Sequence, residues 1–166
     1  MKNYKQSRGW RNNNPLNIRR GERWMGLTPT QSDVAFCRFQ SMEFGYRAAA
    51  KVLKSYYRYL TQKGRAFTVR NIISRWAPAS ENNTEGYIRR VTLLLLGENY
   101  STTKFVPEVE LGRPDTPQGA RHIAQLMAAM TCVECGCAPS QVDYAALRQG
   151  IGLALNLYPA IDSVKL

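Results

Sequence analysis

The stretch Ala120–Val133, which reads A-x-H-I-A-Q-L-M-A-A-M-T-C-V, constrains the fold more than any other part of the chain. Nearly every position is small or apolar, so a helix built from it has almost no face suited to water and must be buried. Thr116-Pro117 supplies its start, with a capping hydroxyl followed by proline at the first helical position. Glu134, just ahead of Gly136, marks its end. A helix over 117–134 therefore lies at the centre, and the rest of the chain wraps around it. With 166 residues, 44% of them hydrophobic and 21% charged, there is material for one core and little reason to expect disorder.

The wrapping elements read as follows. Ser41 caps a helix to about Leu60, with Tyr46, Ala49, Ala50, Leu53, Tyr57 and Leu60 at helical spacing. Thr68 caps a short helix that stops near Ala77, because Pro78 follows. Asn82 opens a capping box with Glu85, and that helix runs to Gly97. Residues 98–115 read as loop, and a last helix starts near Ser140 and continues through G-I-G-L-A-L-N-L. Residues 1–18 are polar and read as an ordered loop. Trp24, Leu27, Val34, Phe36 and Phe39, set between turn formers, predict a small irregular β-hairpin within 19–40. The expected class is α+β, mainly α, with about five helices in a single domain spanning 1–166.

The net charge of +11 points to a polyanionic partner, either nucleic acid or the anionic bacterial wall. The Lys and Arg residues are scattered, and no helix-turn-helix pattern stands out, which argues against specific nucleic-acid binding. No apolar run reaches the length of a membrane span, and M-K-N-Y-K-Q-S-R-G-W has no apolar signal region. Of the four cysteines, Cys132, Cys135 and Cys137 form C-x2-C-x-C. A zinc site needs four suitably spaced ligands, and His122 lies too far upstream for a finger. Buried free thiols are the expectation, with a disulfide open only in an oxidising compartment.

A single histidine removes most His-based triads and zinc proteases, and no Gly-rich phosphate loop occurs. No metal or cofactor is expected; carboxylate chemistry remains. Glycosidases need a carboxylic acid that can protonate a leaving oxygen from a partly apolar cleft. Glu134, at the end of the buried helix, suits that role, although an ordinary solvent-facing glutamate at a helix end fits the same pattern. Glu43 is the alternative, but it opens a helix, where a carboxylate complements the macrodipole and acts as a cap. Glu22 lies between arginines, and Glu81 precedes a helix start. Asn12, Asn13, Asn14 and Asn17 either bind N-acetyl groups and orient the glutamate or build turns. Trp24, Trp76 and Tyr87 either form sugar-stacking walls or pack in the core.

Four compound motifs carry a resemblance: R-G-W-R-N-N-N-P-L-N-I-R-R from Arg8, W-M-G-L from Trp24, F-x-x-F-x-S-x-E-F-G-Y-R-A from Phe36, and N-I-I-S-R-W-A-P-A-S-E-N-N-T-E-G-Y-I-R-R-V from Asn71. Together with E-C-G at Glu134, they resemble a family of phage and prophage virion-associated structural proteins regarded as muralytic, with a lytic-transglycosylase-like (lysozyme-like) fold. The likeness covers about residues 8–157. Leu16 stands where the family usually has Gly, and Cys135 where it has Asn. N-N-x-x-x-I-R also resembles a run of bacterial glucosaminidases, and E-N-N-T-E-G-Y-I-R-R-V a stretch of lytic transglycosylases. In both groups the catalytic glutamate helix precedes these segments. No acidic residue precedes Asn13 here, so the resemblance implies a glutamate helix moved to the C-terminal part, as in a circular permutation.

The resulting expectation is a peptidoglycan-degrading enzyme, a lytic transglycosylase or muramidase, with Glu134 as general acid/base. Asn13, Asn14, Asn17, Trp24, Trp76 and Tyr87 would contact substrate. It would be virion-associated or delivered to the periplasm or cell wall, and would meet other virion or secretion proteins. The alternatives are an inactive phage structural or wall-binding protein of the same fold and a basic nucleic-acid-binding protein.

Overall fold

The computed structural model describes residues 3–96, 106–157 and 161–166. Among them are six α-helices: α1 (Arg8–Arg11), α2 (Met42–Gln62), α3 (Val69–Trp76), α4 (Thr84–Leu96), α5 (Pro117–Cys135) and α6 (Tyr144–Leu155). Single 3-10 turns lie at Tyr4–Gln6, Val106–Glu108 and Pro139–Gln141. No described helix is long and apolar enough to cross a membrane.

The helix boundaries follow local chemistry. The Thr68 and Thr116 side chains accept from the Asn71 and Gly119 N–H groups and so cap α3 and α5. Asn83, rather than the expected Asn82, caps α4: its Oδ1 accepts from Gly86 N at 3.0 Å. The last helix starts at Tyr144, later than the expected Ser140, because Asp143 is its cap and accepts from Ala146 N at 3.0 Å. The expected stop at Gly97 and the first part of the 98–115 connection lie outside the described residues.

Helix α5 is the axis. From Leu126 to Cys132 every side chain is buried, and near its start Pro117, Gln118, Arg121 and Gln125 are exposed and His122 partly so. Its one deeply buried hydroxyl is satisfied, since Thr131 donates to Met127 O at 2.8 Å. Helices α2 and α6 pack along one another. Gly150 makes that approach possible, because a Cβ there would lie 2.4 Å from Glu43 O and 2.6 Å from Tyr46 Cβ.

The α+β expectation is corrected. Among the described residues there is no strand and no sheet, and the 19–40 region holds only isolated bridges, Arg19 with Phe36 and Leu27 with Phe39. The count of helices is six rather than five, because part of the expected N-terminal loop is the short α1. The physical reason for the missing hairpin is that side chains occupy the ladder positions. Asn14 Nδ2 donates to Ile18 O and Cys37 O at 2.9 and 2.8 Å, and its Oδ1 accepts from Ile18 N at 2.8 Å. Gln31 brackets Arg38 in the same way, donating to its O at 2.7 Å and accepting from its N at 2.8 Å. Asp33 Oδ1 accepts from Ala35 N and Phe36 N, each at 3.0 Å. Local side-chain bonds of this kind compete with a backbone ladder, and here they leave only scattered backbone pairs: Cys37 N donates to Ile18 O at 2.8 Å, Arg20 N to Ala35 O and Thr28 N to Arg38 O at 2.9 Å, and Gln40 N to Gly26 O at 2.8 Å.

Candidate functional site: a carboxylate at the end of the central helix

Helix α5 leaves the core at its C-terminus, and Gly136 (φ 66°) ends it in the left-handed conformation. Glu134, half-buried, stands on this last turn. Three donors from three other segments converge on its carboxylate. Asn17 Nδ2 donates to Oε2 at 2.8 Å, Tyr87 OH to Oε1 at 2.9 Å, and Trp76 Nε1 to Oε1 at 3.3 Å.

Each donor is placed by its own sequence context. Asn17 adopts φ 51°, a left-handed conformation that asparagine tolerates better than most residues. Trp76 is the last residue of α3, which stops ahead of Pro78. Tyr87 lies in the first turn of α4. The Thr84 hydroxyl donates to Ala77 O at 2.5 Å and ties the α3–α4 corner, so Trp76 and Tyr87 are set together. Gly9 in α1 completes the closure, since a Cβ there would meet Asn14 O at 2.9 Å and Cys135 Sγ at 3.1 Å.

The electrostatics keep a hydrogen-bond donor beside this carboxylate. Desolvation first, then the adjacent Glu134 carboxylate, holds the Tyr87 hydroxyl well above its usual range, so it stays protonated. Cys135 follows Glu134 in sequence, but its thiol points to Pro15 O at 3.4 Å. Burial pushes that thiol up to about 11, so it adds no negative charge to the site at neutral pH.

Two grooves lie near this cluster, one lined by Glu134 and the other by two of its hydrogen-bond partners, Asn17 and Trp76. One, of about 330 Å³, is lined by Asn17, Trp24, Val52, Tyr56 and Trp76, with exposed Arg19, Arg20 and Glu22 also on its wall. The other, of about 520 Å³, is lined by Glu134 itself, Val133, Gly136 and the N-terminal Tyr4, Gln6 and Ser7. Trp76 is braced edge-to-face by Tyr56, with ring centroids 6.2 Å apart. Trp24 lines the first groove without touching the carboxylate, and its Nε1 is enclosed without a protein acceptor.

Of the residues singled out from the sequence, Glu134, Asn17, Trp76 and Tyr87 are therefore joined, and Trp24 flanks them. Asn12, Asn13 and Asn14 are turned to framework roles: Asn12 Nδ2 donates to Asp33 at 2.9 Å, Asn13 Nδ2 to Phe39 O at 3.0 Å, and Asn14 is fully buried. Glu43 stands in the first turn of α2, and no described hydrogen bond joins it to the cluster. Sequence reasoning missed Tyr56, whose place beside Tyr57 on an amphipathic helix looks like core, and the N-terminal wall, whose Asn-rich polar sequence looks like loop. All four cysteines are buried free thiols, and the described residues contain no cluster of potential metal ligands.

No protein-family profile matches the chain. It is similar to Protein P5 of Pseudoalteromonas phage PM2, at 40% identity over 89 residues, which are 51% of this chain and 53% of the relative. The chain thus spans about half the length of the curated relative it matches, and the likeness associates it with phage proteins.

Proposed function

We propose that this protein cleaves the glycan strand of peptidoglycan, with Glu134 as the single general acid/base. The observation that carries the reading is the convergence of Asn17, Trp76 and Tyr87 on one carboxylate, with Asn17 and Trp76 also lining a groove walled by Trp24 and Tyr56. Such convergence fixes a carboxyl's orientation, which is the first requirement for positioned proton transfer.

The hydrogen-bond pattern distinguishes the two oxygens. Oε1 accepts from both Tyr87 and Trp76, whereas Oε2 accepts from Asn17 alone and keeps a free lone pair. In the proposed reaction a proton carried at Oε2 passes to the glycosidic oxygen as the C1–O bond opens. The 6-hydroxyl of the same muramyl unit then attacks C1 and returns its proton to Oε2, leaving a 1,6-anhydro end. This route needs one carboxylate, whereas hydrolysis of the lysozyme type adds a second.

The aromatic wall of Trp24, Tyr56 and Trp76 suits sugar rings, and Arg19 and Arg20 with the net charge of +11 suit an anionic wall polymer. The phage relative supports delivery with a virion, in contact with other virion proteins.

The test is digestion of purified sacculi followed by mass analysis of the released sugars. Anhydro ends are expected from the native protein and none from Glu134→Gln. If sacculi bind but release nothing over a range of pH and salt, the protein is a wall-binding structural component instead. If duplex DNA is retained, with affinity falling steeply in salt, while sacculi are not, the basic surface serves nucleic acid.

A further inference from the structure

Helix α5 is buried over most of its length, yet near its start Gln118, Arg121 and Gln125 are exposed and His122 partly so. Their spacing puts these four on one face of the helix. Together with Ser163 and Lys165 of the C-terminal segment they line a pocket of about 380 Å³. That segment is fastened in place. Val164 is buried, its N–H donates to Ile161 O at 3.1 Å, and its O accepts from Arg148 Nη1 at 3.3 Å. Leu166 N donates to the Tyr144 hydroxyl at 3.2 Å. Ser163 and Lys165, on either side of the buried Val164, are thereby held beside the helix.

The chemistry of this wall is one-sided. Four other grooves each carry a carboxylate in their lining: Glu85, Glu134, Asp33 and Glu22. This pocket has none. Asp162 precedes Ser163 in sequence but is not part of the wall, and Asp115, just ahead of α5, is engaged by Arg113. Arg121 and Lys165 form no ion pair among the described residues. His122 Nδ1 lies 2.8 Å from Leu111 O. A carbonyl only accepts, so Nδ1 carries the proton, and the neutral ring offers Nε2 as an acceptor. Two cations suit the oxygens of a phosphate, while the amides, the Ser163 hydroxyl and the histidine acceptor suit hydroxyl groups. The volume fits a small whole molecule rather than a bare ion. We infer that this pocket binds a phosphate ester of a small polyol, of which glycerol phosphate is the simplest. Arg121 and Glu134 stand roughly 20 Å apart along α5, so the site is separate from the carboxylate and independent of the function proposed for it.

The probes are glycerol 3-phosphate, glycerol, and vesicles of phosphatidylglycerol or of phosphatidylcholine. Soluble probes are titrated calorimetrically and vesicles are sedimented, with native protein and with Arg121→Ala, Lys165→Ala and Arg58→Ala. Arg58 is exposed on α2 and lies outside this wall, so it controls for the loss of one positive charge. Glycerol 3-phosphate is expected to bind and glycerol is not. Arg121→Ala and Lys165→Ala should each weaken binding on the order of tenfold, ~1.4 kcal/mol, with the melting temperature unchanged. Arg58→Ala should bind as native protein does. Binding confined to phosphatidylglycerol vesicles, lost in the two pocket variants and kept in Arg58→Ala, supports the site and makes a lipid headgroup its source. Equal weakening in all three variants overturns the site, as does the absence of variant-sensitive binding to either phosphate probe. Retention of duplex DNA in place of both probes also overturns it and assigns these cations to nucleic acid. Each of these failures leaves the reading of Glu134 untouched.

Discussion

Three hydrogen bonds set the character of one side chain, and they predict unequal effects. Glu134→Gln preserves shape and removes the transferable proton, so turnover should fall by roughly 10²-fold or more with the melting temperature nearly unchanged. Glu43→Gln, at the start of α2, should leave the release of sugars from sacculi intact. Loss of activity there with retention in Glu134→Gln would move the acid to α2. Tyr87→Phe removes a hydrogen bond to a charged group, so turnover should drop on the order of tenfold to a hundredfold. Because the Tyr87 hydroxyl is held well above its usual range, its ionisation should cause no loss of activity up to about pH 10. A Tyr87-dependent loss near neutrality, present in native protein and absent in Tyr87→Phe, would contradict that.

Individual elements show what was legible in the sequence. Helices α2, α3 and α5 begin one residue after Ser41, Thr68 and Thr116, because apolar spacing and N-terminal capping are local properties of the chain; Thr68 and Thr116 cap with their hydroxyls, whereas Ser41 holds the cap position without a side-chain bond. The helix-end position of Glu134 is legible for the same reason. Its partners are not: Asn17 is 117 positions away and Tyr87 47, and only packing around α5 brings them together. The hairpin expected in 19–40 fails because turn formers and aromatic residues signal a chain reversal but do not say what satisfies its backbone. Here Asn14, Gln31 and Asp33 share that task with a few isolated backbone pairs.

Asp33 is the tightest of these fastenings. It accepts a forked pair from Arg8 at 2.6 and 2.7 Å and further bonds from Asn12, Ala35 and Phe36. The Arg8 hydrogen bond first, then the Ala35 N–H, holds its carboxyl well below the usual range. A depressed folded value means the stabilisation is present above the unfolded value, about 3.9, and is lost as pH falls below it. Asp33→Asn should therefore melt at lower temperature than native protein at pH 7, and the two curves should converge as pH is taken down through 4 and below. Curves that stay parallel across that range would show that the carboxylate charge contributes nothing.

For the molecule as a whole, α5 acts as a shaft whose buried length positions the half-buried Glu134 on its last turn. Stability and catalysis are then separable at sites remote from that turn. Gly150→Ala forces a methyl group against Glu43 O and Tyr46 where α2 and α6 cross, and overpacking of this kind costs about 1–3 kcal/mol. The variant should unfold earlier in urea while keeping native turnover well below its midpoint. A fall in turnover without a shift in midpoint would mean that the crossing governs the site directly.

The side-chain fastening of residues 19–40 has a consequence for crowding. An edge strand carries a row of unpaired N–H and C=O groups that another chain can extend, and proteins with sheets must shield such edges. Here Asn14 and Gln31 close off the groups around Ile18, Cys37 and Arg38 within one chain, and no described strand presents such a row. Neighbouring copies packed at high density thus meet backbone groups of Ile18, Cys37 and Arg38 that are already engaged within the chain.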